Sequence, residues 1–247
     1  MKEGYTHISV VLDRSGSMQS CLSDTIGGFN TFLHAQKDAE GEATVSLAQF
    51  DDQYETLYQM SPISNASDLT HGNYVPRGMT ALLDAIGRTM NDTEHAISEM
   101  NEDERPEKVV FVIITDGEEN ASREFTRDNV MEMINRHREE NRWEVIFIGA
   151  NQDAIQAGGS MGIRAGATLD YDQTPQGTRV MYASLTRGMN NYRSMAVADT
   201  LDADFFAGAP SQDSTEAKVD KGDEDVKAQG PLDHISVYNT VNVEDAK

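Results

Sequence analysis

Short apolar runs alternate along most of this chain with stretches whose apolar residues recur at helical spacing. Residues 6–13 read as a strand, and Leu22, Ile26, Phe29 and Leu33 then follow at the three- and four-residue intervals of one helix face. Gly27 and Gly28 weaken that helix locally and predict close packing of helix on sheet. Residues 43–50 and 54–63 read as a hairpin around Asp51-Asp52-Gln53. Leu82, Leu83, Ile86, Met90 and Ile97 mark a second helix. The run over residues 108–115 is almost continuously β-branched, the pattern of a strand covered on both faces. A third helix carries Val130, Met133, Ile134 and His137, and residues 144–149 form another buried strand. A short helix over 152–158, a short strand over 163–169 and a last helix from Pro175, striped by Met181, Leu185, Met189 and Tyr192, complete the pattern. This order predicts a three-layer, doubly wound α/β fold: a mostly parallel central sheet with helices on both faces.

The pattern stops near residue 206. The following stretch, rich in Gly, Ser, Asp and Glu, has almost no large apolar groups with which to offset the entropy of ordering it. Two regions are therefore expected: a domain over 1–205, and an acidic linker and tail over 206–247. Within the tail, residues 235–243 alternate apolar and polar at strand period and are a candidate for strand addition to a sheet edge. The formal charge of -22 and the pI near 4.4 argue against nucleic acid, whose phosphates need clustered Lys and Arg. No apolar run approaches the ~20 residues of a membrane span, and residues 1–7 lack the apolar core of a signal peptide. The single cysteine, Cys21, excludes an intramolecular disulfide and is expected to be a buried, inert thiol. A cytoplasmic location is expected, in a cell or, for a phage protein, in a virion or host cytoplasm.

The chemistry concentrates at strand ends. The first strand closes on Asp13-Arg14-Ser15-Gly16-Ser17, one carboxylate and two hydroxyls on a single turn. All are hard oxygen donors of the kind Mg²⁺, Mn²⁺ or Ca²⁺ prefers. Thr80 directly precedes the second helix, and Asp116 ends the most buried strand. In an open α/β sheet such carboxyl-end loops converge, so Asp13, Ser15, Ser17, Thr80 and Asp116 form a candidate metal site. Each has a plainer alternative. Asp13 or Ser15 could cap the next helix, Thr80 could be only an N-cap, and Asp116-Gly117 only a turn.

These segments resemble the von Willebrand factor type A domain over roughly residues 5–195. Asp13-Arg14-Ser15-Gly16-Ser17 matches its Asp-x-Ser-x-Ser motif, Gly78-Met79-Thr80 resembles its threonine loop, and Thr115-Asp116-Gly117 its second aspartate loop. Met79 stands where a second glycine is common. Residues 171–178 with the helix after them are similar to the end of stand-alone microbial or phage members. The resemblance implies a metal-ion-dependent adhesion site with hydroxyls from Ser15, Ser17 and Thr80, and with Asp13 and Asp116 bound directly or through water. It also implies a divalent cation, Mg²⁺ first, with Mn²⁺ or Ca²⁺ as alternatives. It implies a non-enzymatic role in which a protein partner supplies an Asp or Glu to the metal, and for microbial relatives work beside AAA+ ATPases of the chaperone type. Arg14 and Arg77 are expected to flank the mouth, with Glu118 and Glu119 beside it, as partner-facing or merely solvated groups. Two other functions are weighed: an assembly subunit using the tail, and a metal-assisted phosphoester hydrolase. No Gly-x-Ser-x-Gly elbow, paired zinc ligands or phosphate loop accompanies these residues, and the six histidines are scattered.

Overall fold

The computed structural model describes residues 1–150, 154–200 and 203–209. The chain divides into two units, Met1–Ser214 and Thr215–Lys247. The second unit, and with it the expected strand at 235–243, lies outside the described residues. The first unit continues past residue 205, because Phe205 and Phe206 are buried and Phe205 packs on Tyr192 with ring centres 6.0 Å apart.

Among the described residues six strands form one sheet: β1 (Lys2–Asp13), β2 (Glu42–Phe50), β3 (Tyr54–Pro62), β4 (Pro106–Thr115), β5 (Glu144–Ala150) and β6 (Thr168–Tyr171). Their order is β3-β2-β1-β4-β5-β6, and only β3 runs antiparallel to its neighbour. The helices are α1 (Leu22–Asp38), α2 (Leu82–Ser98), α3 (Arg127–Asn141), α4 (Ala154–Gly159) and α5 (Pro175–Ser194). The chain leaves β1 toward β2 on one side and later leaves β4 toward β5 on the other. With right-handed crossovers, the connecting helices α1 and α3 must then cover opposite faces. α5 packs on α1, and α2 on α3. Val110 to Ile114 in the middle of the sheet have no exposed surface, and each side chain there contributes about 1.5–3 kcal/mol of burial.

Three elements differ from the sequence reading. β1 starts at Lys2, not residue 6: its first residues are exposed and bulged against β4, so they carry no burial signal. β6 is Thr168–Tyr171, because Ile163 is buried from a loop and Ala165–Ala167 is a 3₁₀ turn. The close approach marked by Gly28 is to a helix rather than the sheet. A Cβ there would lie 2.2 Å from Cδ2 of Tyr182 on α5.

The reversal of strand order falls between β1 and β4. In open α/β sheets this switch point leaves a crevice outside the carboxyl ends of the two strands. Leu12 pairs with Ile114, so Asp13 and Thr115 leave the sheet side by side into that crevice.

Candidate metal centre

Asp13 is fully buried at the end of β1, and its two carboxylate oxygens are both engaged. Oδ1 accepts the Ser15 N–H at 2.6 Å, and Oδ2 accepts the Thr115 hydroxyl at 2.6 Å. The buried Tyr74 hydroxyl donates to the Asp13 carbonyl at 2.6 Å, fixing the backbone where the loop begins. Ser15 precedes the 3₁₀ turn Gly16–Cys21, yet its side chain makes no capping bond. Its Oγ instead lies 3.0 Å from Ser17 Oγ, and Ser17 Oγ donates to Asp116 Oδ1 at 2.5 Å. The first and fourth strand loops are thus joined through side chains at the switch point.

Thr80 is buried but does not cap α2; the N-cap residue is Ala81. The Thr80 backbone is held from both sides. Its N–H donates to Asn120 Oδ1 at 2.9 Å, and its carbonyl accepts from the N–H groups of Asn120 and Ala121 at 3.0 and 3.2 Å. The start of α2 is satisfied by the loop after β4, where Glu119 accepts the Leu83 N–H at 2.9 Å. These bonds to Thr80 are made through its backbone and do not use its hydroxyl.

The three hydroxyls share a direction, and Gly117 shows it. A Cβ built on Gly117 would lie 2.9 Å from Thr80 Oγ1 and 3.6 Å from both Ser15 Oγ and Ser17 Oγ. Glycine leaves that point clear, so the hydroxyls surround a space a methyl group would fill. Beside it, burial raises the pKa of Asp13, and burial together with the Asp13 charge pushes Asp116 up to about 6, against the lowering effect of the Ser17 hydrogen bond. Among the described residues neither carboxylate has an ion-pair partner. Two buried acids without a base, next to three inward hydroxyls, suit a hard divalent cation. No cluster of three or more His, Cys, Asp or Glu side chains able to hold a metal occurs among the described residues, so the donor set is mostly neutral.

The residues expected around the mouth are placed differently. Arg14 and Arg77 do not open toward the mouth: both guanidiniums turn to Asp51 at the β2–β3 turn, and Arg14 is buried. Glu119 is neither free nor partner-facing. Besides Leu83, it accepts the N–H groups of Ala121 and Ser122 and the Ser122 hydroxyl. Glu118 is exposed, as are Val75 and Met79 at about half their surface. Sequence reasoning missed Gln173, whose amide donates to Asp116 Oδ2 and to the Ser17 carbonyl at 2.9 Å. It missed Asn120 as well. Neither carries a periodic or motif signal, because each acts from a loop through one side-chain amide.

A cleft of about 230 Å³, walled by Leu82, Leu83, Phe147 and Met161 and by the charged Glu118, Glu119 and Arg127, adjoins Gly117. A groove of about 740 Å³ between α1 and α5, lined by Gly27, Thr31 and Ala183, lies apart from this chemistry. Cys21 is buried with its pKa raised by burial, an inert setting. Among the described residues no helix is long and apolar enough to cross a membrane.

The sequence profile of the von Willebrand factor type A domain matches residues 7–166, more than half of the chain. No curated protein sequence matches. Solved structures that are similar include the vWF domain of the type V pili tip protein Mfa5 from Porphyromonas gingivalis. It is 10% identical with a TM-score of 0.54, covering 77% of this chain and 97% of that one. Manganese-loaded TRAP protein from Plasmodium vivax is 14% identical at a TM-score of 0.50, covering 70% of each chain. Proximal thread matrix protein 1 from the mussel byssus, with a zinc-occupied MIDAS motif, is 13% identical at 0.52. The match covers 76% of this chain and 46% of the mussel protein, so this chain spans about half of that relative's length. At these identities the likeness is one of fold.

Proposed function

The chain belongs to the von Willebrand factor type A domain family, and on that premise we propose that it is a non-enzymatic interaction module that docks an acidic side chain of a protein partner through a bound divalent cation. The observation that carries the reading is the convergence of the Ser15, Ser17 and Thr80 hydroxyls above Gly117, beside two buried carboxylates without a basic partner. We assign the cation to Asp13, Ser15, Ser17, Thr80 and Asp116, with Mg²⁺ first and Mn²⁺ or Ca²⁺ as alternatives. Bound there, the ion supplies a positive centre that the protein only partly neutralises, able to attract an outside carboxylate. Asp13 is held ready by the Ser15 N–H and the Thr115 hydroxyl, and Ser17, the exposed member of the set, stands at the opening. Exposed Met79 and Val75, on the segment that leads to Thr80, offer the partner apolar surface. The proposed setting is cytoplasmic, and an AAA+ ATPase is a candidate partner.

Capture of partners by the full chain, with and without EDTA, tests this. Asp13→Ala and Thr80→Ala are expected to abolish cation-dependent capture while the fold persists by circular dichroism. EDTA-insensitive capture that survives both substitutions would overturn the reading.

The hydrolase alternative loses one of its two candidate bases, Glu118 and Glu119, since all of Glu119's hydrogen-bonding capacity faces the start of α2 and its own loop. The assembly alternative keeps one observation in its favour. β3 and β6 are the outer strands of the sheet and pair on one side only among the described residues. Deleting residues 207–247 and measuring mass by light scattering tests strand addition; an unchanged oligomeric state counts against it.

A further inference from the structure

Each of the two loops that bring hydroxyls to the site also carries an arginine: Arg14 lies between Asp13 and Ser15, and Arg77 three residues before Thr80. Both reach the same atom. Asp51, fully buried at the β2–β3 turn, accepts Arg14 Nε at 3.1 Å and Arg77 Nε at 2.8 Å on Oδ2, while Oδ1 takes the Gln53 N–H at 2.6 Å. The backbone repeats the pattern. The Asp51 carbonyl accepts the Ala81 N–H at 2.9 Å, next to Thr80, and the Arg77 N–H donates to the Arg14 carbonyl at 2.8 Å. Gly78 passes the same turn at φ +66°, so closely that a Cβ would meet Asp52 Oδ1 at 2.0 Å.

We infer that Asp51 is a positioning residue for the cation site: through Arg14 and Arg77 it sets the spacing between the Asp13–Ser17 loop and the Thr80 loop. The inference rests on the cation reading above. A planar guanidinium has donors in fixed directions, so two Nε–H bonds on one carboxylate oxygen define where both loops lie. Stability alone explains the arrangement poorly. Buried ion pairs add little net stability, and Arg14 Nη2 is buried with no acceptor among the described residues, which is unfavourable. Glu55, 2.5 Å from Arg14 Nη1, neutralises the remaining charge without touching the Thr80 loop.

The alternative is that these groups act on the cation only through their charge, and the two roles differ in sign. Removing Arg77's positive charge strengthens cation binding if field is all that matters, and weakens it if the loop is displaced. The experiment measures Mn²⁺ affinity of the full chain by calorimetry for wild type, Arg77→Met and Asp51→Asn, with thermal melts in EDTA alongside. Supporting groups around metal ligands typically contribute about 10–100-fold in affinity. Both variants are expected to weaken Mn²⁺ binding by about tenfold or more, and the double variant to be no weaker than Asp51→Asn. Arg77 is half-exposed, so Arg77→Met keeps the test alive if Asp51→Asn fails to fold. Unchanged or tighter binding in Arg77→Met overturns the positioning role. A wild-type chain that binds no Mn²⁺ overturns the underlying cation reading and the positioning role with it, a result distinct from either variant outcome.

Discussion

Replacing Gly117 with Ala puts a methyl carbon where three hydroxyls converge, 2.9 Å from Thr80 Oγ1 and 3.6 Å from Ser15 Oγ and Ser17 Oγ. Gly117 does not have a positive φ, so alanine meets no backbone strain there. The fold meets one contact, 2.9 Å from Thr80 Oγ1, that the Thr80 side chain must relieve by moving, so the cation-free protein should lose about 1–3 kcal/mol, the usual range for over-packing. A cation is affected more directly. Hard cations sit about 2.0–2.6 Å from oxygen ligands, whereas a methyl carbon needs about 3.5–4 Å from other atoms. The methyl and a cation bound by all three hydroxyls cannot occupy the same space. Losing a direct ligand should outweigh loss of a supporting group, which already contributes about 10–100-fold. Mn²⁺ affinity is therefore expected to fall at least about 100-fold, near 3 kcal/mol. Calorimetric titration measures it, with a melt in EDTA as the folding control. Wild-type Mn²⁺ affinity in Gly117→Ala would show that the cation does not use this space.

Cation binding should also stabilise the fold, because the unfolded chain does not gather these donors: at 100 times Kd the gain is about 2.7 kcal/mol. Thermal shift with Mg²⁺ or Mn²⁺ should show it in wild type and not in Asp13→Ala; equal shifts in both would place the ion elsewhere. His7 supplies a pH prediction. It is fully buried in β1, and burial pushes its pKa down to about 3, so below its ordinary 6.5 the unfolded chain binds a proton the native state does not. Stability is then present above pH 6.5 and lost as pH falls from 6.5 toward 3, by about 2 kcal/mol at pH 5. His7→Gln should lose about that much less than wild type between pH 7 and pH 5 in denaturant titrations; parallel losses would refute it.

The fold was readable because burial writes period into sequence. β4 and β5 lie in the middle of the sheet, so nearly every position is apolar, and the stripes of α2 and α5 face one layer. Where an element is exposed or irregular the signal fails: the bulged start of β1 and the turn before β6 were misread for that reason. The candidate site was readable as a list, since Asp13, Ser15, Ser17, Thr80 and Asp116 lie on short motifs at strand ends. Its support was not. Arg14 and Arg77 look like surface arginines in one dimension, and Asp51 like any turn aspartate; only the folding of β2 beside β1 brings them onto one oxygen.

The surface charge and the candidate site point to one constraint on any partner. With 42 acidic and 20 basic side chains, the protein repels an approaching acid at long range. Arg14 and Arg77, on the segments that carry the hydroxyls, do not relieve this, because both are turned inward onto Asp51. Under the proposed reading an acidic group is therefore drawn in only within a Debye length of the cation, about 8–10 Å at ordinary salt. Outside that radius, affinity must come from neutral contacts, and Met79 and Val75, exposed on the segment that leads to Thr80, are apolar side chains available to make them. The recognised segment should then be a single carboxylate in an apolar setting, since each further acid would add repulsion that one ion does not offset.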